Sequence, residues 1–317
     1  MNYPKFLNKG STIGICAPSN GVKDKLEEYE SAINILKSEG YKIIETPSVR
    51  TTSVNKDNEL ERVKEFNDLM NNDKVDMILI SRGGDFLYTI LPNLELNKII
   101  KNPKWIMGYS DPTSILFSIT TKYDVATFYG FNSTSYENND LCVLNNLNII
   151  KGNIVKQERF SKYLNYNKSS YDVKWLGSSD SLLIKGRIIG GCIEVLKDLV
   201  GTDFHDIKKF NEKYKNDGII WYFDIYEMNA NDFYRTLLQF EYNGWFKNVK
   251  GILVGRINNR IEEYMTYEDA IKKALPSIPY ITEMCFGHTY PKMTLINGSI
   301  ATINYYNNQG SIEFELR

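Results

Sequence analysis

An α/β fold in two domains is predicted by three features of the chain. Short apolar runs alternate with amphipathic stretches through the first half, a βαβ rhythm that implies a mainly parallel sheet covered on both faces. The pattern weakens into polar, Lys-, Asn-, Ser- and Tyr-rich sequence between Lys151 and Ser181, then resumes as mixed strands and helices. At 317 residues and 42% hydrophobic content, the chain can form one large or two medium cores. Two domains are expected, 1–155 and 181–317, joined by a crossing over 156–180.

In order, Thr12–Ala17 reads as a strand, Leu26–Ser38 as an amphipathic helix, Tyr41–Glu45 as a strand, Asn58–Met70 as a charged helix and Asp76–Ser81 as a strand. Trp105–Gly108, a helix from Pro112 to Thr121 and Ala126–Tyr129 continue the series. Beyond the crossing come Leu183–Ile189, a helix from Cys192 to Val200, Gly218–Asp224, an amphipathic helix over Asp232–Tyr242, Gly251–Val254, and late strands near Ile300–Tyr305 and Ser311–Glu315. Ligands of such sheets bind at strand C-terminal ends. The loops Ala17–Gly21, Ser81–Asp85 and Gly108–Asp111 each follow a strand directly, so all three are expected on one rim.

Composition excludes several function classes. Lys+Arg 38 against Asp+Glu 39, with no basic block interleaved with aromatics, argues against a nucleic-acid partner and for a small substrate. No apolar run approaches the ~20 residues that cross a bilayer, and the N-terminus lacks a signal-peptide pattern, so a cytoplasmic protein without a membrane partner is expected. The four cysteines are scattered singly and read as reduced core residues. Only two histidines, His205 and His288, are present, which disfavours a catalytic metal. The first strand lacks G-x-G-x-x-G and no P-loop occurs, so no nucleotide cofactor is expected.

Ser110 stands where a strand turns into a helix, a place that lifts a hydroxyl above a sheet edge and aims free helix amides at whatever it attacks. Ser-Asp-Pro is also an ordinary helix cap. A serine nucleophile needs a base and an acid that orients the base. His288, in the turn-rich Phe286–Pro291 segment, is the candidate base; His205, among polar residues after a helix end, reads as a surface or capping residue. Asp224, ending the apolar strand 219–223, is the candidate acid, with Glu227 as its alternative. Gly83 and Gly84 permit close backbone approach, and the amides of Gly84 and Asp111 form the candidate oxyanion pair. Arg82-Gly-Gly reads equally as a tight turn or phosphate nest. Arg82 is a weak candidate for holding a substrate carboxylate, or else a salt-bridge residue.

Taken in order, Gly14-Ile-Cys-Ala-Pro-Ser19, Arg82-Gly-Gly84, Gly108-Tyr-Ser-Asp111, Gly186-Arg-Ile-Ile-Gly-Gly191, the strand ending in Asp224 before Arg235-Thr-Leu237, and Gly287-His288 resemble the LD-carboxypeptidase family of serine peptidases. The family includes muramoyltetrapeptide carboxypeptidases and microcin C immunity peptidases. The resemblance runs nearly end to end. It implies an N-terminal flavodoxin-like domain carrying nucleophile Ser110, a C-terminal swivelling-type mixed α/β domain supplying base His288 and acid Asp224, an oxyanion pair at Gly84 and Asp111, and commonly a homodimer. The implied substrate is a murein tetrapeptide that loses its terminal D-alanine in cell-wall recycling.

Two departures stand out. Asp224 occupies the position where the family usually has glutamate, which predicts a carboxylate short of the imidazole by up to ~1.5 Å, and a misplacement of that size costs about 10²-fold in rate. Tyr290 stands where an acid often follows the Gly-His pair. Two rival readings follow. A microcin-immunity-type peptidase would need an aromatic surface to stack a nucleobase, for which Trp175 is the candidate unless it is a buried anchor. A catalytically lapsed homologue, motivated by Asp224, would bind a peptide without cleaving it.

Overall fold

The computed structural model describes residues 1–51, 58–136, 140–153, 156–165 and 168–317. The chain divides into two compact units, Met1–Ile154 with Thr294–Ile296, and Val155–Met293 with Asn297–Arg317. The boundary expected at 155 lies outside the described residues.

The first unit is built on β1 (Thr12–Cys16), α1 (Leu26–Ser38), β2 (Lys42–Glu45), α2 (Glu59–Asn71), β3 (Met77–Ile80), the single turn α3 (Leu87–Ile90), β4 (Trp105–Gly108), α4 (Thr113–Tyr123), β5 (Thr127–Tyr129) and α5 (Leu141–Ile150). The strands lie in the order β2-β1-β3-β4-β5, and each of these neighbouring pairs is parallel. That is the flavodoxin-like order, with its switch point between β1 and β3. Every residue of β1, β3, β4 and β5 is buried, as parallel strands covered on both faces require. The edge strand β2 is partly exposed and carries Lys42 and Glu45. Helix α1 buries Tyr29, Ala32, Ile33 and Leu36, one stripe at i, i+3, i+4 and i+7.

The second unit begins with four short strands, β6 (Gln157–Glu158), β7 (Lys162–Leu164), β8 (Ser170–Asp172) and β9 (Leu176–Gly177), within the stretch expected to be the crossing between domains. It continues with β10 (Ser181–Cys192), α6 (Ile193–Leu199), α7 (Ile207–Lys213), β11 (Ile219–Asp224), α8 (Ala230–Tyr242), β12 (Val249–Gly255), α9 (Tyr267–Ala274) and β13 (Tyr280–Met284). β14 (Leu295–Asn297) adds to the first sheet beside β5, and β15 (Ile300–Tyr306) and β16 (Gln309–Glu315) close the chain.

The second sheet is mixed, in the order β6-β16-β15-β10-β11-β12-β13-β9. Its central pairs β10·β11, β11·β12 and β12·β13 are parallel, and the flanking pairs are antiparallel. The fold is therefore α/β, with a parallel first sheet and a mixed second one. An aromatic cluster fills one face: Trp221 stacks on Trp245 at 5.7 Å, and Phe240 on Trp245 at 4.5 Å.

Candidate active site

The candidate residues fall on the C-terminal ends of parallel strands in both units, and each group has its own geometry. In the first unit, β4 ends at Gly108, where a Cβ would sit 2.8 Å from Pro112, and the chain turns at once into α4. Ser110 occupies the left-handed region, with φ 71°. This conformation costs a non-glycine residue of order 1 kcal/mol or more and persists only when its surroundings impose it. They do so here through three contacts. The Ser110 amide donates to the Tyr129 hydroxyl at 3.2 Å, the Ser110 carbonyl accepts the Thr113 amide at 2.9 Å, and the preceding Tyr109 amide donates to Asn132 Oδ1 at 3.1 Å. An N-cap serine has extended dihedrals and a side chain bonded to a helix amide. Helix α4 instead follows Pro112 and has no side-chain cap. Ser110 therefore lacks the backbone dihedrals of an N-cap residue.

Gly83 and Gly84 come close to the same turn. A Cβ on Gly83 would lie 2.9 Å from Ser110 Cβ and 3.1 Å from its Oγ, and a Cβ on Gly84 would lie 2.5 Å from Ser19 Oγ. Both positions therefore exclude a side chain. Among the described residues neither the Gly84 nor the Asp111 backbone N–H has an acceptor, the condition for amides that receive a developing anion.

The Asp111 side chain has a different role, one not read from the sequence. It is buried, and its Oδ2 accepts the Ser19 hydroxyl at 2.5 Å and the Leu87 amide at 3.0 Å. The loops after β1, β3 and β4 are thus tied to one carboxylate. Burial pushes its pKa up to about 6, against the lowering effect of the hydrogen bonds from Ser19 and Leu87. Arg82 pairs with Asp24, and its side chain also reaches the Gly21 carbonyl at 3.4 Å.

In the second unit, Asp224 ends β11 and is completely buried. Its Oδ2 lies 2.9 Å from His288 Nδ1, and its Oδ1 accepts the His288 backbone amide at 3.1 Å. Gly287, at φ +83°, brings the chain so close that a Cβ there would stand 2.1 Å from Oδ1. The shortfall expected from aspartate in place of glutamate is therefore absent: the Gly287–His288 turn closes onto the shorter side chain. Asn258 Nδ2 donates to the His288 carbonyl, and the Tyr226 ring packs on the imidazole at 4.6 Å between centroids. Glu227, the alternative acid, is exposed, and its amide donates to Glu194.

The remaining motif residues are structural. Arg187 pairs with Asp217 at 2.6 Å and lies 3.9 Å over the Tyr214 ring. A Cβ on Gly190 would stand 1.9 Å from the Tyr222 carbonyl. His205 lies within hydrogen-bond reach of the Leu199 carbonyl through Nε2 and of the Ile207 amide through Nδ1, the capping role expected of it. Trp175 is 0% exposed and offers no stacking surface, which corrects the expectation that it could hold a nucleobase. The four cysteines are buried and unbridged. Among the described residues no group of three or more His, Cys, Asp or Glu could hold a metal ion, and no helix is long and apolar enough to cross a membrane.

Comparison with known proteins covers both units. The family model of the LD-carboxypeptidase N-terminal domain matches residues 13–130, and that of the C-terminal domain matches residues 185–303. The microcin C7 self-immunity protein MccF of Escherichia coli is 25% identical over 96% of this chain and 94% of its own length. A probable murein peptide carboxypeptidase of Bacillus subtilis is 23% identical over 96% and 92%. MccF solved in complex with aspartyl sulfamoyl adenosine superposes with a TM-score of 0.83 at 22% identity, covering 99% of this chain and 98% of that one. The two family models together span well over half of the chain in the expected order, and the chain belongs to the LD-carboxypeptidase family.

Proposed function

We propose that the protein is a serine carboxypeptidase that hydrolyses an L,D-amide bond and releases the terminal D-alanine of murein tetrapeptide in the cytoplasm. The observation that carries the reading is the strained Ser110 turn, held left-handed beside Gly83 and next to two amides without acceptors. Strain of this kind is retained where a side chain must be presented for chemistry. The closed Asp224–His288 pair supports the same reading from the second unit.

In this mechanism Ser110 Oγ attacks the carbonyl carbon of the scissile amide while His288 Nε2 takes the hydroxyl proton. Negative charge moves to the carbonyl oxygen, which the Gly84 and Asp111 amides receive. His288 then delivers its proton to the leaving D-alanine nitrogen, the C–N bond breaks, and an acyl-Ser110 ester remains. Water, deprotonated by His288, attacks that ester and frees Ser110 and the shortened peptide. Asp224 holds the imidazole in the tautomer with Nδ1 protonated and stabilises the imidazolium.

The microcin-immunity alternative has less support. The solved MccF structure holds an aminoacyl-nucleotide analogue, but Trp175, the stacking residue that reading required here, is buried. The lapsed-enzyme reading rested on a short acid, and the 2.9 Å approach of Asp224 to His288 removes that motive. The deciding experiment incubates the protein and its Ser110→Ala variant with tetrapeptide and follows D-alanine by mass spectrometry. Release by the first alone is expected. Release by neither would move the proposal to aminoacyl-nucleotide substrates.

A further inference from the structure

The loop that follows Asp224 is exposed at Tyr226 and Glu227, yet its backbone is gathered onto one group. Glu194 Oε1 accepts the amides of Tyr226, Glu227 and Met228 at 2.9, 3.0 and 3.0 Å, and its Oε2 accepts the Cys192 thiol at 3.1 Å. Three successive amides converging on one point form an anion nest, and a carboxylate in it makes charge-assisted bonds about twice as strong as neutral ones. Cys192 is the register partner of Asp224 across β10·β11, and Glu194 follows it two residues on, in the first turn of α6.

The loop is fixed at both ends: Ile225 is buried, and the Met228 carbonyl accepts the Tyr267 hydroxyl at 2.7 Å. Its middle is the part that Glu194 holds, and Tyr226, which packs on the His288 ring, lies in that middle. We propose that Glu194 is a positioning residue for the base. By fixing the 226–228 backbone it sets the Tyr226 ring against His288 and keeps the imidazole aligned on Asp224. This rests on His288 serving as the general base. Glu194 itself touches no reacting atom.

Because the chain has only two histidines, imidazole resonances of protein labelled with ¹⁵N-histidine report on the pair directly. A His205→Asn variant assigns the second signal. In Glu194→Ala the His288 resonances are expected to shift while those of His205 stay in place, and kcat on the tetrapeptide is expected to fall by roughly 10- to 100-fold with little change in KM. Glu194→Gln keeps the side-chain length and an oxygen acceptor but loses the charge, so a smaller His288 shift and a smaller loss of kcat are expected. It also serves as the test should the alanine variant fail to fold. His288 resonances identical to wild type in every folded variant would overturn the proposal, as would an equal disturbance of both histidines. The resonances need no turnover, so even a protein inactive on every peptide would show whether Glu194 positions His288, and failure of the positioning role stays distinguishable from failure of the peptidase reading.

Discussion

Asp224 uses both carboxylate oxygens on one residue: Oδ2 lies 2.9 Å from His288 Nδ1, and Oδ1 receives the His288 backbone amide at 3.1 Å. The proposed acid therefore holds the backbone of the proposed base and lies beside its ring. A glutamate would carry an extra methylene into a space that Gly287 already fills. Asp224→Glu is accordingly expected to lower kcat/KM, even though glutamate is the acid that the family resemblance implies at this position. Asp224→Asn should keep the shape, favour the wrong tautomer and reduce kcat by up to about 10⁴-fold. Steady-state kinetics on the tetrapeptide check both; a glutamate variant faster than wild type would contradict this account of the fit.

Gly287 is required for two reasons that add. Its φ of +83° disfavours any side chain, and a Cβ would stand 2.1 Å from Asp224 Oδ1 and 2.2 Å from its Cγ, so that a completely buried carboxylate would have to shift. Gly287→Ala should destabilise the protein by several kcal/mol and abolish turnover, because relieving the clash by moving either the Asp224 carboxylate or the Gly287–His288 turn parts the pair. Thermal unfolding read beside activity tests this. Wild-type values for both would show that the turn is more adaptable than its geometry implies.

Asp111 makes stability depend on pH in the direction opposite to an ordinary surface carboxylate. Burial raises its pKa from the usual 3.8 to about 6, so the folded state favours the protonated form. Its contribution is fully present below pH 3.8 and is lost as pH rises through about 6, a change of about 3 kcal/mol. Asp111→Asn should remove that loss and flatten the stability profile between about pH 4 and 6. The measurement is denaturant unfolding of both proteins across that range; parallel profiles would mean that the carboxyl titrates normally.

Much of this was legible in the sequence, and the parts that were not share a physical cause. The alternation of apolar and amphipathic segments located the strands and helices of the parallel sheet, because burial on both faces imposes continuous apolar runs such as Met77–Ile80. The three-residue strand β14 has no periodicity to detect and pairs with a sheet far away in sequence. Helix α5 was also missed: its run Leu-Cys-Val-Leu leaves Leu141 and Leu144 exposed, so its apolar residues do not mark a single buried stripe. Among the candidate residues, Ser110, Asp224 and His288 could be singled out by residue type and place near strand ends. Nothing local marks Tyr129 or Glu194, which act through hydrogen bonds to residues 19 and 32 or more positions away.

Ser110 allows function and stability to be separated at one atom. Ala and Gly substitutions both delete the hydroxyl, so both should abolish turnover by the proposed route. They differ in the backbone, because alanine keeps the Cβ that makes φ 71° unfavourable and glycine removes it. Glycine also gains freedom in the unfolded chain, which offsets part of the benefit. The net expectation is that Ser110→Gly unfolds at a higher denaturant concentration than Ser110→Ala, by up to about 1 kcal/mol. At an unstrained helix position the order is reversed, with glycine the less stable by about that amount. The sign of the difference thus reports the left-handed turn independently of any substrate, and an alanine variant more stable than the glycine one would remove the strain on which the functional reading rests.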